Sequence, residues 1–361
     1  MESVALQFQG PRQIRDIEPL GRGHINDTYR VAYHDGPDRV LQRLNTYVFP
    51  RPEWVSDNIV RVTQHLRSKV SHLPDGQCRC LEVVATHQGH FLHHDEQGRC
   101  WRMYERVQPV TSFDQLQSAQ QAYYVGRSFG EFQAQLVDLP GPRLHETIGD
   151  FHHTPKRLAR LLQVSEGDPM RRRTSAQWEV DFAHQRQSRV GHLIQRQLRG
   201  EIPERITHND TKLNNLLFDK HGLEPLCVVD LDTVMPGLIH YDFGDMVRTG
   251  CATAEEDEEN LELVDFDREL FAGMARGYLE AGQSFLSLNE IEELAFSCIL
   301  MTLEVGIRFL TDYLEGDVYF KVHHPDHNLQ RARSQFALVR RLEAAEAELT
   351  ELVLDRWAAL R

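Results

Sequence analysis

The sequence predicts an α+β protein of two lobes, a small, mainly β lobe over residues 1–108 and a large, mainly helical lobe over residues 109–361. Three observations predict it. Before Gln108, short apolar runs alternate with polar residues between Gly, Pro and Asp turns, the pattern of half-buried strands. Beyond Pro109 the apolar spacing changes to three and four, the pattern of helices with one buried face. A length of 361 residues allows one large domain or two lobes, with ample core.

Taken in order, Ile14 to Pro19, Thr28 to Tyr33 and Arg39 to Leu44 read as three strands. The turn Gly21-Arg22-Gly23-His24-Ile25-Asn26 separates the first two, and His34-Asp35-Gly36-Pro37 ends the second. Pro52 to Lys69 has helical spacing, with Trp54, Ile59, Val62 and Leu66 apolar. Leu81 to Ala85, Gly89 to His93 and Arg99 to Val107 complete an expected sheet of about five strands. Phe113 to Leu139 reads as a helix ended by Pro140-Gly141, its aromatic stripe a core face rather than a ligand box. Leu144 to Phe151 is irregular, and Thr154 to Leu162 suggests another helix. Ala176 to Leu198 reads as one long polar helix, broken by Pro203. The stretch from Phe266 to Arg361 is predominantly helical, with a terminal helix over Ala344 to Leu360.

Hydrophobic residues make up 41% and charged residues 26%, ordinary for a globular protein. A formal net charge of −14 argues against a nucleic-acid partner, because phosphate neutralisation needs a cationic excess. Arg171 to Arg173 reads as a solvated helix end, and Glu255 to Glu259 as a loop or helix start facing water. Cys78, Cys80 and Cys100 do not supply four zinc ligands at a recognisable spacing. No leading apolar segment and no apolar run near the roughly 18 residues of a membrane span is expected, so a cytoplasmic enzyme with reduced thiols is the economical reading. Among the 19 His, the cluster His87, His90, His93 and His94 straddles a turn signal and reads as a hairpin with exposed rings rather than a metal site. His323, His324 and His327 form the second cluster.

The chemistry concentrates between Ile206 and Asp245. His208, Asp210, Lys212 and Asn215 stand in the order H-x-D-x-K-x-x-N, and Asp230 follows the apolar run Leu226 to Val229. Either piece alone is an ordinary loop. Together, at this spacing and with strand-like flanks, they supply what phosphoryl transfer needs: a carboxylate to orient and deprotonate an attacking hydroxyl, and oxygen ligands for Mg²⁺ on nucleotide phosphates. Asp210 suits the first task, Asn215 and Asp230 the second, and Lys212 would neutralise charge on the group in transit. Asp232 is either a further Mg²⁺ ligand or a hydrogen-bonding brace for Asn215. Asp242, at a helix start, is expected to satisfy backbone donors of the catalytic loop.

This pair of motifs resembles the aminoglycoside phosphotransferase and choline kinase group, relatives of the protein kinases. Within it, HNDTKLNN, DLDTVMPG, YDFGD, GHINDTYR and TLEVGIRFLTDYLEGD resemble the N-acetylhexosamine 1-kinases, so the resemblance runs from about Leu20 to Phe320. It implies a bilobal protein-kinase-like fold, ATP and Mg²⁺ as cofactors, and a small-molecule sugar as partner. The implied reaction is transfer of the γ-phosphate of ATP to the anomeric hydroxyl of an N-acetylhexosamine. Gly21 and Gly23 would let backbone N–H groups approach phosphate oxygens, although Gly-x-Gly between strands is common by itself. Asn26 stands at the third glycine of the kinase loop, and Arg43 where that fold carries a lysine; no helix carboxylate is nominated as its partner. Met103 to Glu105 would offer backbone groups to the adenine edge. His24, Asn26 and Asn209 would face the acceptor.

Glu304, Arg308 and Asp312 lie four apart on one helix face. They form either a self-satisfying ion-pair ladder or one wall of a sugar pocket, with Arg308 and Tyr319 bonding hydroxyl or acetamido groups. A kinase for choline, homoserine, an aminoglycoside or another sugar shares every catalytic residue named here. A non-catalytic nucleotide-binding module is the remaining reading, kept open by the missing strand lysine.

Overall fold

The computed structural model describes residues 1–21, 25–73, 79–108, 110–113, 115–222 and 224–361. By packing they form two compact units. The first comprises Met1–Ser112, Gln135–Gly149 and Asn215–Pro236; the second comprises Phe113–Ala134, Asp150–Asn214 and Gly237–Arg361. A single cut in the chain does not describe this division, because two later stretches fold with the N-terminal residues.

The first unit opens with helix α1 (Glu2–Ala5) and strands β1 (Ile14–Pro19), β2 (Asp27–Tyr33) and β3 (Arg39–Arg43). Helix α2 (Pro52–Val70) follows, then β4 (Val83–Val84), β5 (His93–His94), β6 (Cys100–Glu105) and β7 (Val110–Thr111). The main sheet runs β1-β2-β3-β6-β4, with β5 also on β6, so it has six strands where about five were expected. Every pairing described in it is antiparallel. Strand alternation divides it cleanly. Leu41 faces Met103 across β3 and β6, and both join Val31, Tyr33, Val84, Trp101 and Phe8 in one apolar cluster. The neighbouring pair, Gln42 and Arg102, therefore belongs to the opposite face. Pro52 opens α2 at the position where a missing N–H costs nothing, and Val55, Ile59, Val62 and Leu66 bury its inner stripe. A second sheet, ordered β10-β9-β7, pairs β9 (Leu216–Asp219) with β10 (Pro225–Val228) as a hairpin.

The second unit is helical: α3 (Ala119–Leu136, its last two residues in the first unit), α4 (Thr154–Gly167), α5 (Gln177–His184) and α6 (His192–Leu198) precede the short strand β8 (Arg205–Thr207). Then come α7 (Ile239–Gly250), α8 (Arg268–Gly282), α9 (Leu288–Ile291), α10 (Leu294–Glu315) and α11 (His327–Ala359). The single long helix expected over 176–198 is two short helices. Between them Arg186, Gln187, Arg189 and His192 donate to carbonyls three residues back, a tighter winding, and Gly191 caps the restart. Conversely, the expected terminal helix is the end of one 33-residue helix.

Helix α10 also differs from expectation, since by length and composition it could cross a membrane; 89% of its apolar window is buried inside the protein, as a core helix would be. It lies against α7 so closely that a Cβ on Gly244 would meet the Ser297 carbonyl at 2.4 Å, which is why YDFGD carries glycine there. The five described cysteines, Cys80, Cys100, Cys227, Cys251 and Cys298, are buried free thiols.

Helix α7 carries a buried titration site. His240 is fully buried and bonded through Nε2 to the Glu290 carbonyl at 2.8 Å; burial outweighs that bond and pushes its ring down to about 4. The folded state therefore refuses a proton that the unfolded chain takes up near pH 6.5, so stability falls as pH drops from there to about 4. The loss is on the order of 3 kcal/mol. Unfolding midpoints measured across that window should show a shallower acid slope for His240→Gln than for the native protein; identical slopes would mean that His240 is not buried as a neutral ring.

Candidate active site

In the second unit, β8 leads into the loop that carries His208, Asn209 and Asp210. Asp242, in the first turn of α7 and fully buried, organises that loop. Its Oδ2 accepts from the His208 N–H at 2.9 Å and from Gln133 Nε2 at 2.6 Å, and its Oδ1 accepts from the Asn209 N–H at 2.6 Å. The Thr211 hydroxyl donates to the Asp242 carbonyl at 2.7 Å. His208 is buried edge-on to Phe129 and Phe132. Asn209 adopts φ +64°, a conformation Asn tolerates better than most residues, and its side chain folds back to Thr207.

This frame presents Asp210 half-buried, with Lys212 Nζ 2.9 Å from its Oδ1. Burial alone would raise the Asp210 carboxyl; Lys212, His208 and Arg248 outweigh it and hold the carboxyl below the usual carboxylate range. The Asp210 charge in turn raises Lys212, so the pair is ionised at neutral pH. A carboxylate so placed can accept a proton, and the ammonium beside it can face an anion.

The Glu304, Arg308 and Asp312 face does not form the ion-pair ladder. No ion pair joins Arg308 to either neighbour among the described residues, and each goes its own way. Glu304, fully buried, accepts from the Thr154 hydroxyl at 2.6 Å and meets His152 Nδ1 at 2.8 Å. Asp312 accepts from the N–H groups of Val318, Tyr319 and Phe320 and from Asn328, so it shapes the loop that carries Tyr319. Arg308 lies over three rings, Phe151, Tyr319 and Phe320, at 5.3, 5.8 and 5.6 Å. Tyr319 is exposed, with its ring edge-on to Phe320.

In the first unit, the β9–β10 hairpin brings Asn215 and Asp230 side by side. The Val229 N–H donates to the Asn215 carbonyl at 2.9 Å, so the residue before Asp230 is tied to Asn215 itself. Asp230 is exposed and takes φ +60°, a left-handed conformation that Asp, like Asn, adopts more readily than most residues. One amide oxygen and one carboxylate on adjacent backbone suit a hard divalent cation that keeps water and phosphate as its other ligands.

Asp232 is 3% exposed and engaged at both oxygens: Arg102 Nη1 lies 2.5 Å from Oδ1, and Asn26 Nδ2 donates to Oδ2 at 2.5 Å. The Asn26 amide oxygen accepts from the Asn45 N–H. The structure thus joins two of the candidate residues, Asn26 and Asp232, through mutual contact. Arg102, which the sequence reading passed over, is the cation between the strands: Gln42 Oε1 takes its Nε and Nη2, and the Asp232 and Asp230 charges raise it against burial. Its signal was a guanidinium amid the apolar run of β6. Arg43 lies in register with Asp27, forms an ion pair with it, and shares the sheet face of Leu41 and Trp101 rather than that of Arg102. Gly21 has φ +73° with open space around it; Gly23 and His24 lie outside the described residues. Met103 is buried, while Glu105 pairs with Arg39 at 2.6 Å and its N–H donates to the Glu82 carbonyl.

Solved structures share this fold. The chain is similar to a microcompartment-associated aminopropanol kinase, with 17% identity, 96% of this chain and 97% of that chain covered, and a TM-score of 0.65. An aminoglycoside phosphotransferase from Alicyclobacillus acidocaldarius matches at 12% identity, 98% and 96% coverage and a TM-score of 0.63. An amicoumacin kinase, solved with AMP-PNP and Ca²⁺, matches at 13% identity, 95% and 92% coverage and a TM-score of 0.58. The fold is therefore the mixed α+β, protein-kinase-like one, a small β-sheet lobe with a helical C-terminal part. The model of the phosphotransferase enzyme family (APH) matches residues 16–281, which spans both motif loops. On that match, together with the fold and the loop that presents Asp210, the chain belongs to the APH phosphotransferase enzyme family.

Proposed function

We propose that the protein transfers the γ-phosphate of ATP to a sugar hydroxyl, the anomeric hydroxyl of an N-acetylhexosamine. The observation that carries the phosphotransferase chemistry is the ionised Asp210, fixed in a buried-backbone loop with Lys212 at 2.9 Å. Asp210 orients the acceptor hydroxyl and takes its proton as the oxygen forms its bond to the γ-phosphorus. The bond from that phosphorus to the β–γ bridging oxygen breaks, and ADP leaves with the electron pair. Lys212 faces the charge on the group in transit. Asn215 and Asp230 would hold Mg²⁺, which when bound would neutralise charge on the nucleotide phosphates. Gly21 and Gly23 would bring backbone N–H groups to those phosphates, while the backbone of Met103 to Glu105 is already taken by the neighbouring strands and the Glu82 carbonyl. Arg43 would be the strand cation for the triphosphate, whereas Arg102, buried and held by Asp232 and Gln42, belongs to the opposite face of the sheet. Asp232, with both oxygens engaged by Arg102 and Asn26, acts as their brace rather than as a metal ligand.

A neutral, hydroxyl-rich acceptor fits the second unit better than a cationic one. The ring faces that would cage a quaternary ammonium are covered by the chain's own Arg308. A guanidinium and a tyrosine hydroxyl are donors for sugar hydroxyl and acetamido oxygens. In this reading Arg308, Tyr319 and Asn209 of the second unit meet the sugar or frame its site.

The test is ADP release with Mg-ATP across N-acetylhexosamines, plain hexoses, choline, aminopropanol and aminoglycosides. The expected result is release that depends on an N-acetylhexosamine. Release that depends on choline or aminopropanol instead would overturn the sugar assignment and leave the phosphotransferase standing. Asp230→Asn should chiefly weaken the response of turnover to Mg²⁺ concentration, and an unchanged response would remove Asp230 from the metal site.

A further inference from the structure

We infer that His152 is a positioning residue for Asp210, acting through the peptide bond that joins Asn209 to Asp210. The inference rests on the reading of Asp210 as the base. His152 is buried at the foot of α4, with Nδ1 2.8 Å from Glu304 Oε1 and Nε2 3.0 Å from the Asn209 carbonyl oxygen. The N–H of the same peptide bond, on Asp210, donates to His208 Nδ1 at 3.3 Å. One peptide plane is thus held at its oxygen by His152 and at its nitrogen by His208, and the side chain that leaves it is the base. Asp242 fixes the two preceding N–H groups, and His152 adds a hold on the carbonyl side of the loop.

The donor count adds a condition. A carboxylate and a carbonyl only accept, so the ring makes both bonds at once only when the His152–Glu304 pair keeps one proton beyond the neutral-imidazole, ionised-carboxylate state. Burial alone would raise the Glu304 carboxyl, but His152, the Thr154 hydroxyl and Arg308 outweigh it and hold it below the usual range. The Thr154 hydroxyl already donates to Glu304 Oε2, so that proton lies in the Nδ1–Oε1 contact, and Nε2 donates to the Asn209 carbonyl. The other groups facing this pair are the Tyr241 ring, 4.9 Å from His152, the Thr154 hydroxyl, and the cations Arg308 and Arg157, whose charges interact with Glu304. When the pair loses its proton, one of the two bonds is lost, and the peptide plane before Asp210 is freed.

Glu304→Gln separates this role from packing. Its amide donates to Nδ1 and its oxygen still accepts from Thr154, so a neutral ring with Nε2–H can serve the Asn209 carbonyl. Nitrogen-15 NMR of the full chain labelled at histidine should show a ring with hydrogen on Nε2 and its Nδ1 in a hydrogen bond, missing from His152→Leu and still carrying the Nε2 hydrogen in Glu304→Gln. In turnover, His152→Leu should lower kcat by about 10–10²-fold with nucleotide KM within about 3-fold, the cost of a misplaced catalytic group. A bare Nε2 on the His152 ring of the native protein, or an unchanged kcat in His152→Leu, would overturn the inference. Because the NMR signal needs no acceptor, it stands or falls separately from the reading of Asp210.

Discussion

Asp210→Asn is expected to lower kcat by about 10²–10⁴-fold while leaving nucleotide affinity within a few-fold, the signature of a lost proton acceptor rather than a lost binding contact. The substitution keeps the shape of the side chain and removes its charge. Lys212 then loses its ion-pair partner at 2.9 Å, so part of the effect passes through the ammonium that faces the transferring group. The pH profile carries the same signature. Because Lys212 and its neighbours hold the Asp210 carboxyl below the ordinary range, the base form persists as pH falls, and the acid limb of kcat/KM should lie below the ordinary carboxylate value. An acid limb at the ordinary carboxylate value or above would contradict that electrostatic arrangement. Full activity in Asp210→Asn would remove Asp210 from the mechanism.

The second large effect is on stability. Arg102→Leu is expected to destabilise the protein by about 3–5 kcal/mol, because it leaves the Asp232 carboxylate 3% exposed with its guanidinium gone. Packing loss alone would be smaller, since leucine fills much of the space of the arginine stem. The discriminating partner is Asp232→Asn in the same chain: removing the orphaned charge should recover part of the loss, so the double variant is more stable than Arg102→Leu alone. Denaturant midpoints measure both. A change within about 0.5 kcal/mol for Arg102→Leu, the range of an ordinary surface substitution, would mean the pair is not buried as described.

Much of the fold was legible because local pattern and tertiary placement agree. Strand β1 occupies Ile14–Pro19 as read, and α2 ends within one residue of its expected end, since alternation and three-four spacing are set by which face is buried. The 176–198 stretch was not legible: its polar composition satisfies one helix or two equally well, and the tight winding near Gly191 decides between them. The bracing role of Asp242 was readable from its place at a helix start, because a carboxylate there meets backbone donors that lack partners.

The polar partners were not readable, and for a different reason. Arg102 meets a carboxylate 130 positions away, and His152 meets one 152 positions away; spacing along a strand or helix carries no signal for such pairs. The same holds for Glu304, Arg308 and Asp312. Their four-residue spacing predicts neighbours, which they are, but not that each would be claimed by another element before it could pair with the next.

The central claim is that phosphorus moves from ATP to a hydroxyl by way of Asp210. Phosphorus NMR of one reaction mixture, run with the native protein and with Asp210→Asn, tests it most directly. The account predicts a new ester signal coupled to the anomeric proton of an N-acetylhexosamine, growing in step with ADP in the native sample and almost absent from the variant. Inorganic phosphate as the sole product, or an ester that forms equally fast without the Asp210 carboxylate, would contradict it.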